Sequence, residues 1–327
     1  MEEAASRRIN YLRISITDRC NLRCLYCTYW QEWQKRPPAE ILRYEELLRV
    51  AAVAAEAGVR KIRVTGGEPL VRRGIVGFLQ ELQRLPGIDQ VCLTTNGVLL
   101  RELAPAIYNA GVRHLNVSLD TLQRERYRQI TGADHLPAVM AGLQQAASLG
   151  FHPLKINCVV LRGINDGEIL DIARLAREHP WQVRFIELMP TTSQTWWQRH
   201  FLSMAEVRRR LAVLGPLEPL IRETTAGPAR IFRLPGFRGE LGFISPMSQH
   251  QCRTCNRLRL TSDGKVRPCL LKSQELDLKG PLRQGVSAGF LAFLFQEAIR
   301  LKNRQTAPSL PCNSSCPHDL SMVSIGG

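Results

Sequence analysis

Two kinds of hydrophobic periodicity alternate along the first 190 residues. Short segments with a period of two, typical of strands, are separated by longer segments whose apolar positions recur every three or four residues, as in helices. The predicted strands are residues 12–17, 61–65, 91–95, 114–119, 154–161 and 183–188. The predicted helices are residues 44–57, 74–85, 99–109, 136–149 and 166–178. Alternating strands and helices indicate a parallel sheet, so we expect an α/β fold with an incomplete, open (βα)6 barrel.

The predicted strands carry a polar face, although a parallel sheet covered by helices is usually apolar on both faces. In the first strand, Arg13 and Ser15 share one side while Ile14 and Ile16 share the other. The same alternation places further polar residues together: Lys61, Arg63 and Thr65; His114, Asn116, Ser118 and Asp120; Lys155 and Asn157. Because the apolar sides must pack against helices, the polar sides should face inward. We therefore expect a barrel interior that is filled by water or ligand.

Length and composition narrow the class of protein. The 327 residues can form a large core, and we expect a barrel core over residues 1–190 and a C-terminal extension over 191–327. No apolar stretch reaches the ~20 residues of a membrane-spanning helix, so we expect no membrane partner. The first residues show no basic segment followed by an apolar one. We therefore expect no secretory signal and a cytoplasmic location.

The chain is strongly basic, with a net charge of +15 from 44 basic and 29 acidic residues. Of the basic residues 37 are arginine, whose planar guanidinium suits bidentate contacts with phosphate or carboxylate. Such a surplus fits nucleic acid, a polyanionic small substrate or simply a solvated basic surface. Because the charge is not collected in a tail, a nucleic-acid partner is the weaker expectation.

Two cysteine triplets are the clearest chemical signal. They are Cys20-x3-Cys24-x2-Cys27 and Cys252-x2-Cys255-x13-Cys269. Thiolate sulfur is a soft ligand suited to zinc or iron–sulfur clusters, and both a structural zinc and a cubane cluster normally take four protein ligands. Three cysteines leave one coordination position open to a small molecule. Two such sites predict two small molecules held close together.

Other interpretations of the cysteines remain. For the first triplet a zinc site lacks a nearby histidine, since the closest downstream is His114, and a disulfide needs an oxidising compartment. For the second triplet zinc is a stronger alternative, because Cys312 or Cys316 could supply a fourth ligand. Cys92 and Cys158 lie in strand patterns and are interpreted as core residues.

Special loops follow the predicted strands, where barrels of this kind place their chemistry. The first triplet follows strand one, Gly66-Gly67-Glu68-Pro69 follows strand two, and Asn96-Gly97 follows strand three. A glycine pair allows the backbone to approach a ligand or another chain segment closely. The site is therefore expected at this edge of the sheet.

With a three-cysteine loop after the first strand and a Gly-Gly-Glu-Pro loop after the second, the chain resembles the radical S-adenosylmethionine superfamily. Within it, the chain is most similar to the GTP 3′,8-cyclase family of molybdenum cofactor biosynthesis. The matching segments are residues 13–24, 61–70, 94–97, 116–120, 163–166, 184–189 and 255–260, with Cys269 and the terminal Gly326-Gly327. Segment 255–260 and the diglycine end are specific to the cyclase family.

The resemblance implies two [4Fe–4S] clusters and S-adenosylmethionine as cofactors. The first cluster would be held by Cys20, Cys24 and Cys27, and the second by Cys252, Cys255 and Cys269. The positions that match the family's S-adenosylmethionine contacts are Tyr26, Gly67, Ser118 and Met189. Those that match its GTP contacts are Arg13, Arg63, Thr94, Lys155, Arg257 and Arg259, of which Arg13, Lys155, Arg257 and Arg259 are the expected catalytic residues.

The implied reaction converts GTP to (8S)-3′,8-cyclo-7,8-dihydroguanosine 5′-triphosphate, a lyase activity. The implied partners are GTP, a low-potential electron donor, the downstream cyclic pyranopterin monophosphate synthase and a second copy of the chain. The sequence departs from the family at Thr28-Tyr29-Trp30 and over residues 303–324, where Cys312 and Cys316 have no assigned role. The alternatives are another two-cluster radical enzyme that modifies a peptide or tRNA, and a zinc- and RNA-binding protein.

Overall fold

The computed structural model describes residues 7–27, 34–220, 227–249, 252, 254–304 and 322. Its centre is six strands: β1 (Tyr11–Ser15), β2 (Lys61–Thr65), β3 (Gln90–Thr95), β4 (His114–Ser118), β5 (Leu154–Val160) and β6 (Gln182–Glu187). Each pairs in parallel with the next, so the sheet follows chain order from β1 to β6. The predicted six-stranded parallel core is confirmed.

Six helices accompany these strands. They are α1 (Tyr44–Glu56), α2 (Ile75–Arg84), α3 (Leu100–Asn109), α4 (Arg124–Thr131), α5 (Leu136–Ser148) and α6 (Ile169–Glu178). Five correspond to predicted helices and differ from them only at their ends. The exception, α4, was not predicted because it is short and polar, and it buries only Tyr127, Ile130 and Thr131.

The rest of the chain extends the same sheet at both edges. Its strands are β7 (Glu218–Leu220), β8 (Arg230–Arg233), β9 (Glu240–Ile244), β10 (Arg257–Leu260), β11 (Lys265–Arg267) and β12 (Leu276–Asp277). Its helices are α7 (Gln194–His200), α8 (Met204–Leu211), α9 (Lys279–Arg283) and α10 (Ala288–Arg304). β9 pairs in parallel with β6, and β10 pairs in parallel with β1. The sheet therefore has twelve strands in the order β12-β11-β10-β1-β2-β3-β4-β5-β6-β9-β8-β7.

This topology sets the positions of the two cysteine triplets. Cys20 follows β1, whereas Cys255 precedes β10, and these two neighbouring strands run in the same direction. The triplets therefore lie toward opposite ends of the strands. The five residues of β1 between them span about 17 Å at ~3.3 Å per residue, so the polar strand faces lie between the two triplets.

The apolar strand faces form one core with the helices. Leu12, Ile14, Ile62 and Val64 are all fully buried in it. Cys158 is buried in this core. Cys92 is also buried, on the strand face that it shares with its sheet neighbour Arg63. Among the described residues, no helix combines the length and apolarity needed to cross a membrane.

Candidate active site

The loop that carries the first triplet is held by two neighbouring elements. The backbone N–H of Arg23 donates to the Thr131 carbonyl (2.8 Å), and that of Leu25 donates to the Ile130 carbonyl (2.9 Å). Both acceptors lie at the end of α4, the helix that the sequence did not predict. In addition, the Tyr26 hydroxyl donates to the Asp120 carboxylate beyond β4 at 2.6 Å. The loop is therefore fixed by contacts distant in sequence.

The Gly-Gly-Glu-Pro loop packs against the chain that leads to Cys20. A side chain at Gly67 would place its Cβ 2.4 Å from the Arg19 carbonyl oxygen, so only glycine fits. The Gly67 N–H donates to the Thr17 carbonyl at 2.7 Å, and the Glu68 N–H donates to the Arg19 carbonyl at 2.8 Å. This contact between loops is a sufficient physical reason for the glycine.

Glu68 connects the loop after β2 to the loop after β3. Its buried carboxylate accepts hydrogen bonds from the Thr95 hydroxyl (2.8 Å) and the Asn96 backbone N–H (2.6 Å). Burial raises the pKa of Glu68 to about 7 even though these hydrogen bonds favour its ionised form. The Asn96 side-chain amide in turn donates to Cys20 Sγ at 3.9 Å. Glu68 thereby positions a donor to one thiol of the first triplet.

The chemistry of the first triplet fits an iron–sulfur cluster. Burial raises the pKa of Cys20 to about 11 and that of Cys27 to about 12, and it raises the pKa of Cys24 well above its ordinary value. Neighbouring thiols add to this effect, because Cys27 and Cys20 raise the pKa of Cys24, and Cys20 raises that of Cys27. Iron binds thiolates and displaces their protons. Three thiols on one loop would hold a cluster with one open coordination position.

The second triplet faces a cavity that Cys252, Cys255 and Cys269 all line. Burial would raise the pKa of Cys255, but Arg257 and Lys302 lower it to about 6. Lys302 donates to Cys255 Sγ at 3.1 Å. The surroundings of Cys255 favour its thiolate form, and three cysteines line the same cavity. Both observations fit an iron–sulfur cluster at this second site as well. Among the described residues, no three His, Cys, Asp or Glu side chains are arranged to hold a single metal ion. Cys312 and Cys316, which could complete a zinc site, lie outside the described residues.

Basic side chains line the cavity between the triplets. Its described lining includes eight of them and no acidic residue: Arg13, Lys61, Arg63, Lys155, Arg184, Arg257, Arg259 and Lys302. The sheet register explains the concentration, because Arg259, Arg13 and Arg63 are direct neighbours on β10, β1 and β2. Adjacent strands are only about 4.8 Å apart. The predicted polar interior is therefore a polycationic cavity.

Burial and mutual repulsion lower the pKa values of several basic side chains in this cavity. Burial and then Arg184 and Arg63 lower the pKa of Lys155 to about 7. Burial likewise lowers the pKa of Arg184 to about 9 and that of Arg13 to about 10. Buried like charges are costly unless an anion compensates them. The cavity is therefore suited to a multivalent anion.

The structure brings most of the predicted GTP contacts into this cavity. Arg13, Arg63, Lys155, Arg257 and Arg259 all line it together with the second triplet. Thr94 is outside the lining, but its hydroxyl accepts a hydrogen bond from Arg63 Nη1 at 3.3 Å.

The predicted S-adenosylmethionine contacts divide between the cavity and the cluster loop. Met189 lines the cavity. Tyr26 lies in the loop of the first triplet, and Gly67 packs against the chain that leads into that loop. Ser118 is the last residue of β4, two residues before Asp120.

Three basic cavity residues were not among the predicted GTP contacts: Lys61, Arg184 and Lys302. Arg184 is buried, and its Nε and Nη2 atoms have no hydrogen-bond partner in the described part of the chain. It lies on β6 between Val183 and Phe185. The same alternation that identified polar residues on the other strands could therefore have identified it.

One residue of the C-terminal segment, Met322, also contacts this region. The Met322 backbone N–H donates to the Cys27 carbonyl at 3.2 Å, and Met322 lines the cavity. The other distinctive features of the C-terminal segment, Cys312, Cys316, Gly326 and Gly327, lie outside the described residues, as do Thr28, Tyr29 and Trp30.

Comparison with known proteins agrees with this fold and site. A model of the radical SAM superfamily matches residues 14–176, and a model named Molybdenum Cofactor Synthesis C matches residues 181–308. The solved structure of Streptococcus suis SuiB bound to S-adenosylmethionine superposes with a TM-score of 0.61 and 16% identity, covering 88% of this chain and 68% of that chain. This likeness shows the fold. The chain is therefore a member of the radical S-adenosylmethionine superfamily.

Sequence relatives narrow the class further. The chain is 49% identical over 302 residues to the GTP 3′,8-cyclase of Moorella thermoacetica, covering 92% of this chain and 94% of that protein. It is 48% identical over 304 residues to the GTP 3′,8-cyclase of Pelotomaculum thermopropionicum, with the same coverage of 92% and 94%. The chain belongs to the GTP 3′,8-cyclase family.

Proposed function

We propose that this protein converts GTP to (8S)-3′,8-cyclo-7,8-dihydroguanosine 5′-triphosphate, the first step of molybdenum cofactor biosynthesis. The observation that carries the proposal is the cavity with eight basic side chains and no described acidic one, lined at one end by the second cysteine triplet. A triphosphate supplies the multivalent negative charge that such a cavity needs. Family membership supplies the identity of the nucleotide.

The two triplets have separate roles in this proposal. Cys20, Cys24 and Cys27 hold a [4Fe–4S] cluster, with Tyr26, Gly67, Ser118 and Met189 around S-adenosylmethionine. Cys252, Cys255 and Cys269 hold a second [4Fe–4S] cluster near the purine. When bound, these cofactors would supply the one-electron chemistry of the reaction at C3′ of GTP.

The cavity residues bind and orient the nucleotide. Arg13, Lys155, Arg257 and Arg259 contact GTP and stabilise its charge, which makes them the proposed catalytic residues. Arg63 also contacts GTP, and the Arg63 guanidinium donates to the Thr94 hydroxyl at 3.3 Å and to the Tyr11 hydroxyl at 2.6 Å. A pocket that is closed around the substrate excludes water and stray hydrogen donors from a reactive intermediate.

Further parts of the proposal concern the surroundings of the enzyme. The reaction needs a low-potential electron donor, and its product passes to the cyclic pyranopterin monophosphate synthase. The protein is also proposed to be cytoplasmic and to form a homodimer. Its chain is proposed to divide into a barrel core (1–190) and a C-terminal region (191–327).

Metal analysis separates the proposed enzyme from a zinc- and RNA-binding protein. An anaerobic preparation is expected to contain about eight irons per chain, four for each cubane cluster. About four irons with one zinc would support a structural zinc at the second triplet instead. A preparation with zinc and almost no iron would contradict both cluster assignments.

The affinity for GTP is expected to fall as the pH rises from 7.5 to 8.5. Lys155 has a pKa of about 7 because of burial and neighbouring cations, and a bound triphosphate raises it. Binding above pH 7 therefore takes up a proton, and the dissociation constant should increase by up to about tenfold per pH unit.

The matched control for this pH dependence is Lys155→Arg, which keeps the positive charge across the range. We expect the arginine variant to bind GTP with little pH dependence, as measured by anaerobic calorimetry in buffers of different ionisation enthalpy. An equal pH dependence in wild-type and variant protein would show that Lys155 does not contact the triphosphate.

A further inference from the structure

A buried lysine beside the second triplet has no role in the proposed substrate contacts. Lys302 is only 4% exposed, and its Nζ atom donates to Cys255 Sγ at 3.1 Å. Lysine is almost never fully buried unless it is paired. Here the bonded partner is a cysteine of the proposed cluster site.

The position of Lys302 on α10 is one that an apolar residue would normally occupy. The buried residues of this helix are Leu291, Phe295, Ala298 and Lys302. Their spacing of four, three and four residues is that of a core-facing stripe. A lysine at the last position of such a stripe costs desolvation energy that methionine or leucine would avoid. This placement indicates a specific use for the charge.

Arg7 fixes the end of α10 against the cysteine loop. Its Nη2 atom donates to the carbonyls of Lys302 (2.7 Å) and Asn303 (3.0 Å), and its Nη1 atom donates to the Cys252 carbonyl. One guanidinium thus joins the last turn of the helix to the second triplet. The ammonium of Lys302 is thereby held at a fixed place beside Cys255.

We propose that Lys302 is a positioning residue for the second iron–sulfur cluster, which it orients through Cys255 and whose negative charge it partly compensates. The inference rests on the proposed second cluster. A hydrogen bond from a cation to a cluster thiolate stabilises the reduced form more than the oxidised form, because the reduced form carries more negative charge. Lys302 should therefore raise the reduction potential of this cluster and retard its loss of iron.

The test uses the full chain with Cys24→Ser as background, so that the spectroscopic signal comes from the second cluster. Reductive titration followed by electron paramagnetic resonance should give a more negative midpoint potential for Lys302→Met than for its parent. The rate of iron release to a chelator should rise several-fold in the same variant. Lys302→Arg, which keeps charge and donors, should restore most of the parental potential. Arg300→Met is the matched control, because it removes an exposed cation from the same helix and should leave both values unchanged.

Several outcomes would overturn the inference. An unchanged potential and iron-release rate in Lys302→Met, with weaker GTP binding, would make Lys302 a phosphate ligand instead. If Lys302→Met does not fold, Lys302→Gln replaces it, and a parental potential in the glutamine variant would overturn the role of the charge. A Cys24→Ser parent that binds no iron would overturn the second cluster itself, and so is distinguishable from a failure of Lys302 alone.

Discussion

Cys24→Ser is expected to reduce cleavage of S-adenosylmethionine to the level of an enzyme-free control. Serine replaces a soft sulfur ligand by a hard oxygen that does not hold the iron of a cubane cluster. With only two cysteines remaining at the first site, the iron content should fall from about eight to about four per chain. Cleavage is measured as 5′-deoxyadenosine formed under anaerobic conditions with dithionite as reductant.

The matched control is Cys158→Ala. Cys158 is also a buried free cysteine, but it lies on β5 outside both triplets. Its removal should cost some stability and leave the iron content and the rate of cleavage close to wild type. Near wild-type cleavage in Cys24→Ser would exclude the first triplet as the cluster site.

The double substitution Arg257→Ala and Arg259→Ala is expected to weaken GTP binding by at least about a hundredfold. Each arginine removed deletes a charge-assisted contact of roughly 1.5–3 kcal/mol, which corresponds to about tenfold or more in affinity. The two residues alternate with Leu258 and Leu260 on β10, and they pair with Tyr11 and Arg13 on β1. Both guanidiniums therefore enter the same cavity. Anaerobic calorimetry with GTP measures the loss.

A control of equal charge distinguishes local contacts from the overall basic character of the chain. Arg84→Ala with Arg174→Ala also removes two positive charges, but these arginines lie on exposed helix faces, where they pair with Glu81 and Asp171. GTP affinity should be nearly unchanged in this variant. The iron content of both variants is measured alongside, because Arg257 also lowers the pKa of Cys255. Unaltered GTP affinity in the Arg257 and Arg259 variant would show that the substrate binds elsewhere.

The sequence was sufficient to predict the central barrel, whereas the two cluster sites stay predictions. The core strands were predictable because β1, β2, β4 and β5 alternate polar and apolar residues, and because a predicted helix separates each core strand from the next. The polar positions on those strands predicted the cavity lining, since Arg13, Arg63 and Lys155 all line it. The alternation of polar and apolar residues would also have identified Arg184, had we applied it to the sixth strand.

Other features depend on contacts that leave little local signal. β10 pairs with β1 across almost 250 residues of chain, and nothing near residue 257 indicates that partner. The short helix α4 has few apolar residues, although it holds the first cysteine loop. The sequence shows Lys302 as a polar residue in an apolar stripe, but its bond to Cys255 is visible only in the folded chain.

The central claim is tested most directly by anaerobic incubation of the wild-type protein with S-adenosylmethionine, dithionite and GTP carrying deuterium at C3′. The account predicts GTP-dependent formation of 5′-deoxyadenosine that contains the deuterium, together with a cyclised nucleotide in equal amount. That nucleotide should be an isomer of GTP apart from the label, because the hydrogen removed from C3′ is replaced when the cyclised product is reduced. Formation of 5′-deoxyadenosine without deuterium and without any nucleotide product would contradict the account.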